Sequence, residues 1–259
     1  LIQPKSNNEI ENKRITREIQ QIHDEHPDMG YRRIRDELVV NRGIKINDKR
    51  VLRLCRKSGI QSRIKWKPKC CTRGSRNPYH IAKNYLNRDF KADAPNPKWL
   101  TDVTEFKYYV GMEVRKIYLS AILDLYDRRI VAFKLGDHND NPLVMNTFDE
   151  AISVYPHARP LFHSDRGFQY TSAQFKTRLK IHHMKQSMSR VARCLDNAPM
   201  EGFWGILKRE NYYGRRFTDR ASLIKCISEY ITYYNYRRIQ RKLSVMTPMQ
   251  YHNNYACTA

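Results

Sequence analysis

Near residue 98 the spacing of apolar residues changes, and that change restricts the chain to few architectures. Upstream, Ile15, Ile19 and Ile22 recur at helical spacing until Pro27 and Gly30 end the run. Tyr31, Ile34 and Leu38 mark a second helix with Gly43 at its C′ position. Asn47 or Asp48 caps a third, in which Val51, Leu54 and Cys55 face inward and which stops at Gly59. Downstream, Lys98 to Tyr109 alternates and is rich in Thr, Val, Phe and Tyr. Gly111 turns the chain, and Arg115 to Leu125 places Ile117, Leu119, Ala121, Leu123 and Leu125 on one face. Ile130 to Leu135 is a third strand, so this part opens as an antiparallel meander. Helices are predicted over Pro142 to about Tyr155, Ser172 to Lys180, Asn197 to Asn211 and Leu223 to Tyr236. Short strands fall between them at Leu161 to His163 and Met184 to Ser189. Three strands, then helix-strand-helix-strand-helix, is an α/β order with a mixed sheet.

Charge selects the partner. Forty-eight Lys and Arg oppose 26 Asp and Glu among 259 residues, a net +22, which calls for a polyanion such as nucleic acid. Two helices, a glycine turn and a basic third helix suggest a helix-turn-helix-like unit. Its third helix carries Lys49, Arg53 and Arg56 on the outer face, with Arg50 and Lys57 beside them. Five basic residues in nine exceed what solubility requires, so DNA contact is favoured over a merely solvated face. Arg63, Lys65 and Lys67 begin a stretch running to Pro78 that holds Pro68, Gly74, Arg73 and Arg76 and no acid, an extended linker suited to lying along phosphates. No apolar run approaches the ~20 residues of a membrane helix, and no apolar N-terminal block reads as a secretory signal. Leu1 rather than Met begins the chain, so an upstream segment is expected. The six cysteines include no C-x-x-C, and His23 and His26 are poorly spaced from vicinal Cys70 and Cys71 for zinc; reduced cytosolic thiols are the better reading.

Against this basic background a few acids occupy costly positions. Asp102 lies inside the first strand on the face of Leu100, Thr104 and Phe106, where an unpaired carboxylate costs several kcal/mol. Asp165 ends a short strand before Arg166 and Gly167. Glu201 shares a helix face with Asn197, Gly205 and Lys208. A strand-interior Asp, a strand-end Asp and a helical Glu can converge at one edge of a mixed sheet. Their mutual repulsion calls for divalent cations, and oxygen-only ligands favour Mg²⁺ or Mn²⁺ over zinc. Two such ions about 3.5–4 Å apart suit phosphodiester chemistry. Other polar residues take plainer readings: His163 as a strand histidine, Asp124 and Asp127 as turn-forming or salt-bridged, Asn197 as a helix cap or an orienter of Glu201, Phe203 and Trp204 as core. Arg237, Arg238, Arg241 and Lys242 are either phosphate contacts or a solvated face.

Three segments carry a family resemblance. Residues 97–109 (PKWLTDVTEFKYY), 162–172 (FHSDRGFQYTS) and 196–210 (DNAPMEGFWGILKRE) closely resemble the DDE core of bacterial insertion-sequence transposases, a core similar to retroviral integrases and of RNase H-like fold. Gly30 to Ile60 resembles the helix-turn-helix segment preceding that core, and Ile227 to Tyr251 its C-terminal tail. The resemblance is to the OrfB-type product, made active by frameshifting onto an upstream frame. It implies Asp102, Asp165 and Glu201 as metal ligands and catalytic residues, and Lys208 as a basic residue near the DNA end. It implies Mg²⁺-dependent cleavage at element ends and 3′-hydroxyl transfer into target DNA, at least a dimer in action, an upstream-frame partner, and a bacterial cytoplasmic, nucleoid-associated location. Ala192, Leu195 and Gly202 depart from the family pattern. The regions implied are a helix-turn-helix-like region at 1–60, a basic linker at 61–91, an RNase H-like core at 92–215 and a helical tail at 216–259. An RNase H-like nuclease that does not join DNA, and a non-catalytic DNA-binding regulator, are the alternatives.

Overall fold

Helix α1 (Asn7–Glu25) starts well before its isoleucines. Ser6 and Glu9 form a reciprocal capping box, Ser6 Oγ accepting from the Glu9 N–H at 3.3 Å and the Glu9 carboxylate from the Ser6 N–H at 3.0 Å. That box lets a polar stretch without apolar periodicity join the helix, so α1 is longer than its buried Ile15, Ile19 and Ile22 alone indicate. α2 (Tyr31–Val40) and α3 (Asp48–Lys57) complete a small core of Ile34, Leu38, Val51, Leu54 and Cys55 around those isoleucines. Asn47 caps α3 through the Arg50 N–H, at 2.8 Å. The computed structural model describes residues 6–64, 80–190 and 194–258, and the chain divides into two units, Leu1–Pro68 and Lys69–Ala259. Lys65, Lys67, the remainder of the basic stretch to Pro78, and Ala192 lie outside the described residues. Among the described residues no helix is long and apolar enough to cross a membrane.

The second unit is built on one mixed five-stranded sheet in the order β3-β2-β1-β4-β5. β1 (Lys98–Val110), β2 (Glu113–Asp124) and β3 (Ile130–Gly136) form the antiparallel meander, while β4 (Leu161–Ser164) and β5 (Lys185–Met188) add in parallel on the other side of β1. Alternation along β1 and β2 sends side chains to two cores. Leu100, Phe106, Ile117, Leu119 and Leu123 face α6 (Ala198–Leu207) and α7 (Arg220–Tyr236). Trp99 and Ile122 face α4 (Asn141–Val154) and α5 (Ala173–Ile181). Helices therefore cover both faces, as the α/β order predicts. A final helix, α8 (Pro248–Thr258), is absent from the apolar periodicity but carries its own start signal: Thr247 and Gln250 cap each other at 2.9 and 3.2 Å.

The helix predicted over Asn197–Asn211 is three pieces: a 3₁₀ turn at Cys194–Asn197, α6, and a π turn at Lys208–Tyr212. The wide turn accompanies a specific docking. β1 outruns β4, which pairs only with Lys98–Leu100, so the backbone of Lys107 lacks a strand partner on that side. The Tyr212 hydroxyl takes its place, accepting from the Lys107 N–H at 2.9 Å and donating to the Lys107 carbonyl at 3.0 Å. Residues 80–91, inside the stretch read as linker, pack on the β5 side. Leu86 is buried, and the Tyr85 and Leu86 N–H groups donate to Ser187 Oγ at 2.9 and 3.1 Å. Asp124 and Asp127 flank the fully buried Arg129 in ion pairs, and Asp124 also accepts from the Trp99 indole at 3.2 Å. Both acids are structural, as their turn position predicts.

Candidate active site

β1 and β4 run in parallel register for three residue pairs, ending at Leu100 opposite His163. Two residues further along that register, Asp102 lies level with Asp165, just where β4 has stopped at Ser164. The strands part at the switch between the antiparallel and parallel halves of the sheet, the position where open α/β sheets form their binding crevice. Asp165 turns back on itself, Oδ1 accepting from the Gly167 N–H at 2.8 Å. A side chain at 167 would crowd this turn: a Cβ there would lie 3.0 Å from Asp165 Oδ1 and 2.9 Å from Gln169 Oε1, so those side-chain ends would have to move. On the expectation that Asp165 is catalytic, Gly167→Ala should therefore shift the Asp165 carboxylate or the Gln169 amide and lower strand cleavage several-fold while the protein stays folded, as read by gel assay alongside thermal melting. Unchanged cleavage would mean that Asp165 does not need this geometry.

Glu201 enters from above the sheet, in the first turn of α6. Met200, Phe203, Trp204 and Leu207 of that helix are buried against the Leu100 and Phe106 face of β1, the face that also bears Asp102. The electrostatics link the three acids. Burial, then repulsion from Asp165 and more weakly from Glu201, pushes the Asp102 carboxyl up to about 8. Burial also raises Asp165, and burial followed by Asp165 raises Glu201. Behind them Tyr170 is fully buried, its hydroxyl 3.1 Å from Thr101 Oγ1, and burial with the nearby Asp102 and Asp165 holds it protonated. Among the described residues no three His, Cys, Asp or Glu side chains stand together as a ready metal-binding group. The acids are within electrostatic reach of one another without being closed into a ligand set. Their chemistry nonetheless suits a hard divalent cation: all donors are oxygens, and burial, with mutual repulsion second, makes the ionised acids costly unless a cation neutralises them.

Lys208, two turns beyond Glu201, is drawn inward with its ammonium 5.1 Å from the centre of the Phe106 ring. Burial lowers its proton affinity, opposed by Glu105 and Asp102. Asn197 makes no side-chain cap to α6; its Nδ2 donates instead to the Thr101 carbonyl at 3.3 Å. His163 is buried between Ser187 Oγ and Ser189 Oγ at 2.8 and 3.1 Å, and burial lowers it to about 4. It is thus a neutral strand histidine. Asp196 is fully buried and held well below the usual carboxylate range, chiefly by Arg190, with Arg88 assisting. The sequence reading missed this clamp and two further features: the steric role of Gly167, and the donor of Trp204. The Trp204 indole donates to Asp102 Oδ2 at 3.0 Å. Its i+3 spacing from Glu201 was the available signal, masked by its equally good fit as core.

In the first unit Lys49, Arg53, Arg56, Lys57 and Arg63 are exposed. Arg50 is instead tied to α1, to Glu11 at 2.7 Å and Asn12 at 3.0 Å. Arg53 and Lys57 share a surface groove with Lys13 and Arg17 of α1, which the sequence reading did not single out.

The Integrase core domain family matches residues 92–194 and again 201–255, and the HTH-like domain family matches residues 9–68. The chain is 41% identical over 233 residues to the transposase InsK of insertion sequence element IS150 from Escherichia coli (strain K12), covering 89% of this chain and 80% of that protein. It belongs to the insertion-sequence transposases of the integrase superfamily. A second member of that family, the transposase of insertion sequence element IS904 from Lactococcus lactis subsp. lactis (strain IL1403), is 32% identical over 95% of this chain and 96% of its own length. The integrase fold is shared with a chain of the simian T-cell lymphotropic virus intasome, at a TM-score of 0.54 and 16% identity over 90% of this chain and 74% of that one.

Proposed function

We propose that this transposase cuts DNA at the ends of its element and joins the freed 3′-hydroxyl to target DNA, using Asp102, Asp165 and Glu201 as its catalytic carboxylates. The observation that carries the reading is the β1–β4 register, which carried two residues past its last pair brings Asp102 level with Asp165, together with Asp165 near enough to raise both Asp102 and Glu201. Asp102, Asp165 and Glu201 would together hold Mg²⁺ or Mn²⁺, two ions in all. When bound, such ions activate the attacking oxygen and stabilise the leaving one. Water is the nucleophile in cleavage and the DNA 3′-hydroxyl in joining; each step breaks one bond to phosphorus and makes one, and needs no covalent enzyme intermediate.

Lys208 places positive charge beside the crevice for a DNA end. Lys49, Arg53, Arg56, Lys57 and Arg63, with Lys65 and Lys67 beyond them, would neutralise phosphates of double-stranded DNA, and Arg50 would act by fixing α3 to α1. Work on two element ends calls for at least a dimer, assembled with an upstream-frame product or as a fusion with it, on the nucleoid of a bacterial cytoplasm. The deciding experiment incubates labelled end DNA with the protein in Mg²⁺ or in EDTA. Nicked ends and joined products in Mg²⁺ alone are expected. Cleavage without joining would make the protein a nuclease, and metal-independent binding without nicking would make it a regulator; either overturns the proposal.

A further inference from the structure

We infer that the Trp204 indole is a positioning residue for divalent-cation capture, tying the strand that bears Asp102 to the helix that bears Glu201. The inference rests on the reading of Asp102 and Glu201 as metal ligands and adds the element that holds one relative to the other. Trp204 lies three residues after Glu201 on α6, and its Nε1 donates to Asp102 Oδ2 at 3.0 Å. The ring is only 7% exposed and packs on Phe203 with ring centres 5.1 Å apart. The indole therefore has little freedom to swing away from the carboxylate.

The choice of residue is informative. At this depth a phenylalanine would bury as readily on Leu100 and Phe106, whereas tryptophan adds an N–H donor at the ring edge. That donor is spent on a carboxylate with two other acids within electrostatic reach. A second tie lies one residue away: at the start of the same helix Asn197 Nδ2 donates to the Thr101 carbonyl. Two adjacent residues of β1 are thus held by Asn197 at the start of α6 and by Trp204 about two turns further along, with Glu201 between them. Among the described residues Asn197 Oδ1 is buried and meets no hydrogen-bond donor. A hydrogen bond to a ligating carboxylate fixes its rotamer before the ion arrives, and removing such outer partners lowers metal affinity about ten- to a hundredfold.

The test measures Mn²⁺ binding to the full chain by electron paramagnetic resonance, without DNA. Four proteins are compared: the parent, Asp102→Asn, Trp204→Phe, and a chain carrying 3-benzothienylalanine at position 204. The last replaces the indole N–H by sulfur and keeps the bicyclic shape, so packing is retained even if Trp204→Phe loosens the core. Asp102→Asn should nearly abolish binding. Both position-204 variants should bind about tenfold or more weakly than the parent, with the metal-free melting temperature of the benzothienyl protein within a few degrees of it. If Asp102→Asn binds Mn²⁺ as the parent does, the site reading itself fails. If Asp102→Asn loses binding while the benzothienyl protein matches the parent, the positioning role of Trp204 is overturned and the site reading stands.

Discussion

Asp165→Asn is expected to abolish strand cleavage and joining in Mg²⁺ while leaving the affinity for duplex end DNA within a few-fold of the parent. Asparagine keeps the size of aspartate and an oxygen able to accept the Gly167 N–H, so the turn after β4 should persist. What is lost is one unit of negative charge at the crevice, and with it a hard-cation ligand. A loss of about a thousandfold corresponds to about 4 kcal/mol of transition-state stabilisation, within reach of a single missing ligand. Binding should survive because the exposed bases Lys49, Arg53, Arg56 and Lys57 lie on another unit of the chain. Gel-shift and cleavage assays on the same labelled DNA separate the two effects. A variant that still cuts at the parental rate would remove Asp165 from the chemistry.

The second large effect is on stability, and it runs opposite to activity. Asp102 has a folded-state pKa of about 8 against an ordinary value of 3.8, with burial the main cause and Asp165 the next. The folded protein therefore holds this proton more tightly than the unfolded chain. Its contribution to stability is full below pH about 4 and is lost as pH rises towards 8. Above that range the ionised carboxylate costs the metal-free fold on the order of 2–5 kcal/mol. Asp102→Asn cannot ionise and its carbonyl oxygen can still accept from Trp204. At pH 8 without metal it should melt higher than the parent, by roughly 2–4 °C per kcal/mol for a unit of this size. The two should converge near pH 4. Adding Mg²⁺ should then raise the melting temperature of the parent and leave that of Asp102→Asn unmoved. Parallel pH profiles for the two proteins would mean that Asp102 is not the group under strain.

Much of this arrangement is legible in the residues themselves. Asp102 announces itself because alternation places it on the same face as Leu100 and Phe106, and that face is indeed one of the two core faces of β1. Asp165 is legible as the acid at the end of a short strand, and the level match with Asp102 follows once β1 and β4 are paired in parallel. Asp124 and Asp127 read correctly as structural because they sit in a turn beside Arg129. The remainder depends on partners far away in the chain. The π turn after α6 has a helix-capable sequence, and its distortion goes with the Tyr212 hydroxyl reaching Lys107. Residues 80–91 have no apolar period; they dock because Ser187 offers a hydroxyl and Asp196 a buried charge to Arg88 and Asn84. Trp204 is readable as buried, while its acceptor lies 102 residues upstream and emerges only when α6 packs on β1. Periodicity reports which side chains leave water, and says little about which polar atom meets which once they have.

On the proposed function Asp102, Asp165 and Glu201 together hold divalent cations, although as the protein stands they are within electrostatic reach without forming a closed ligand set. Anomalous diffraction from crystals of the end-DNA complex grown in Mn²⁺ tests it most directly. Manganese peaks are expected within coordination distance of carboxylate oxygens from all three residues. Manganese bound elsewhere on the chain, or a DNA complex in which Glu201 stays apart from ions held by the two aspartates, would contradict it.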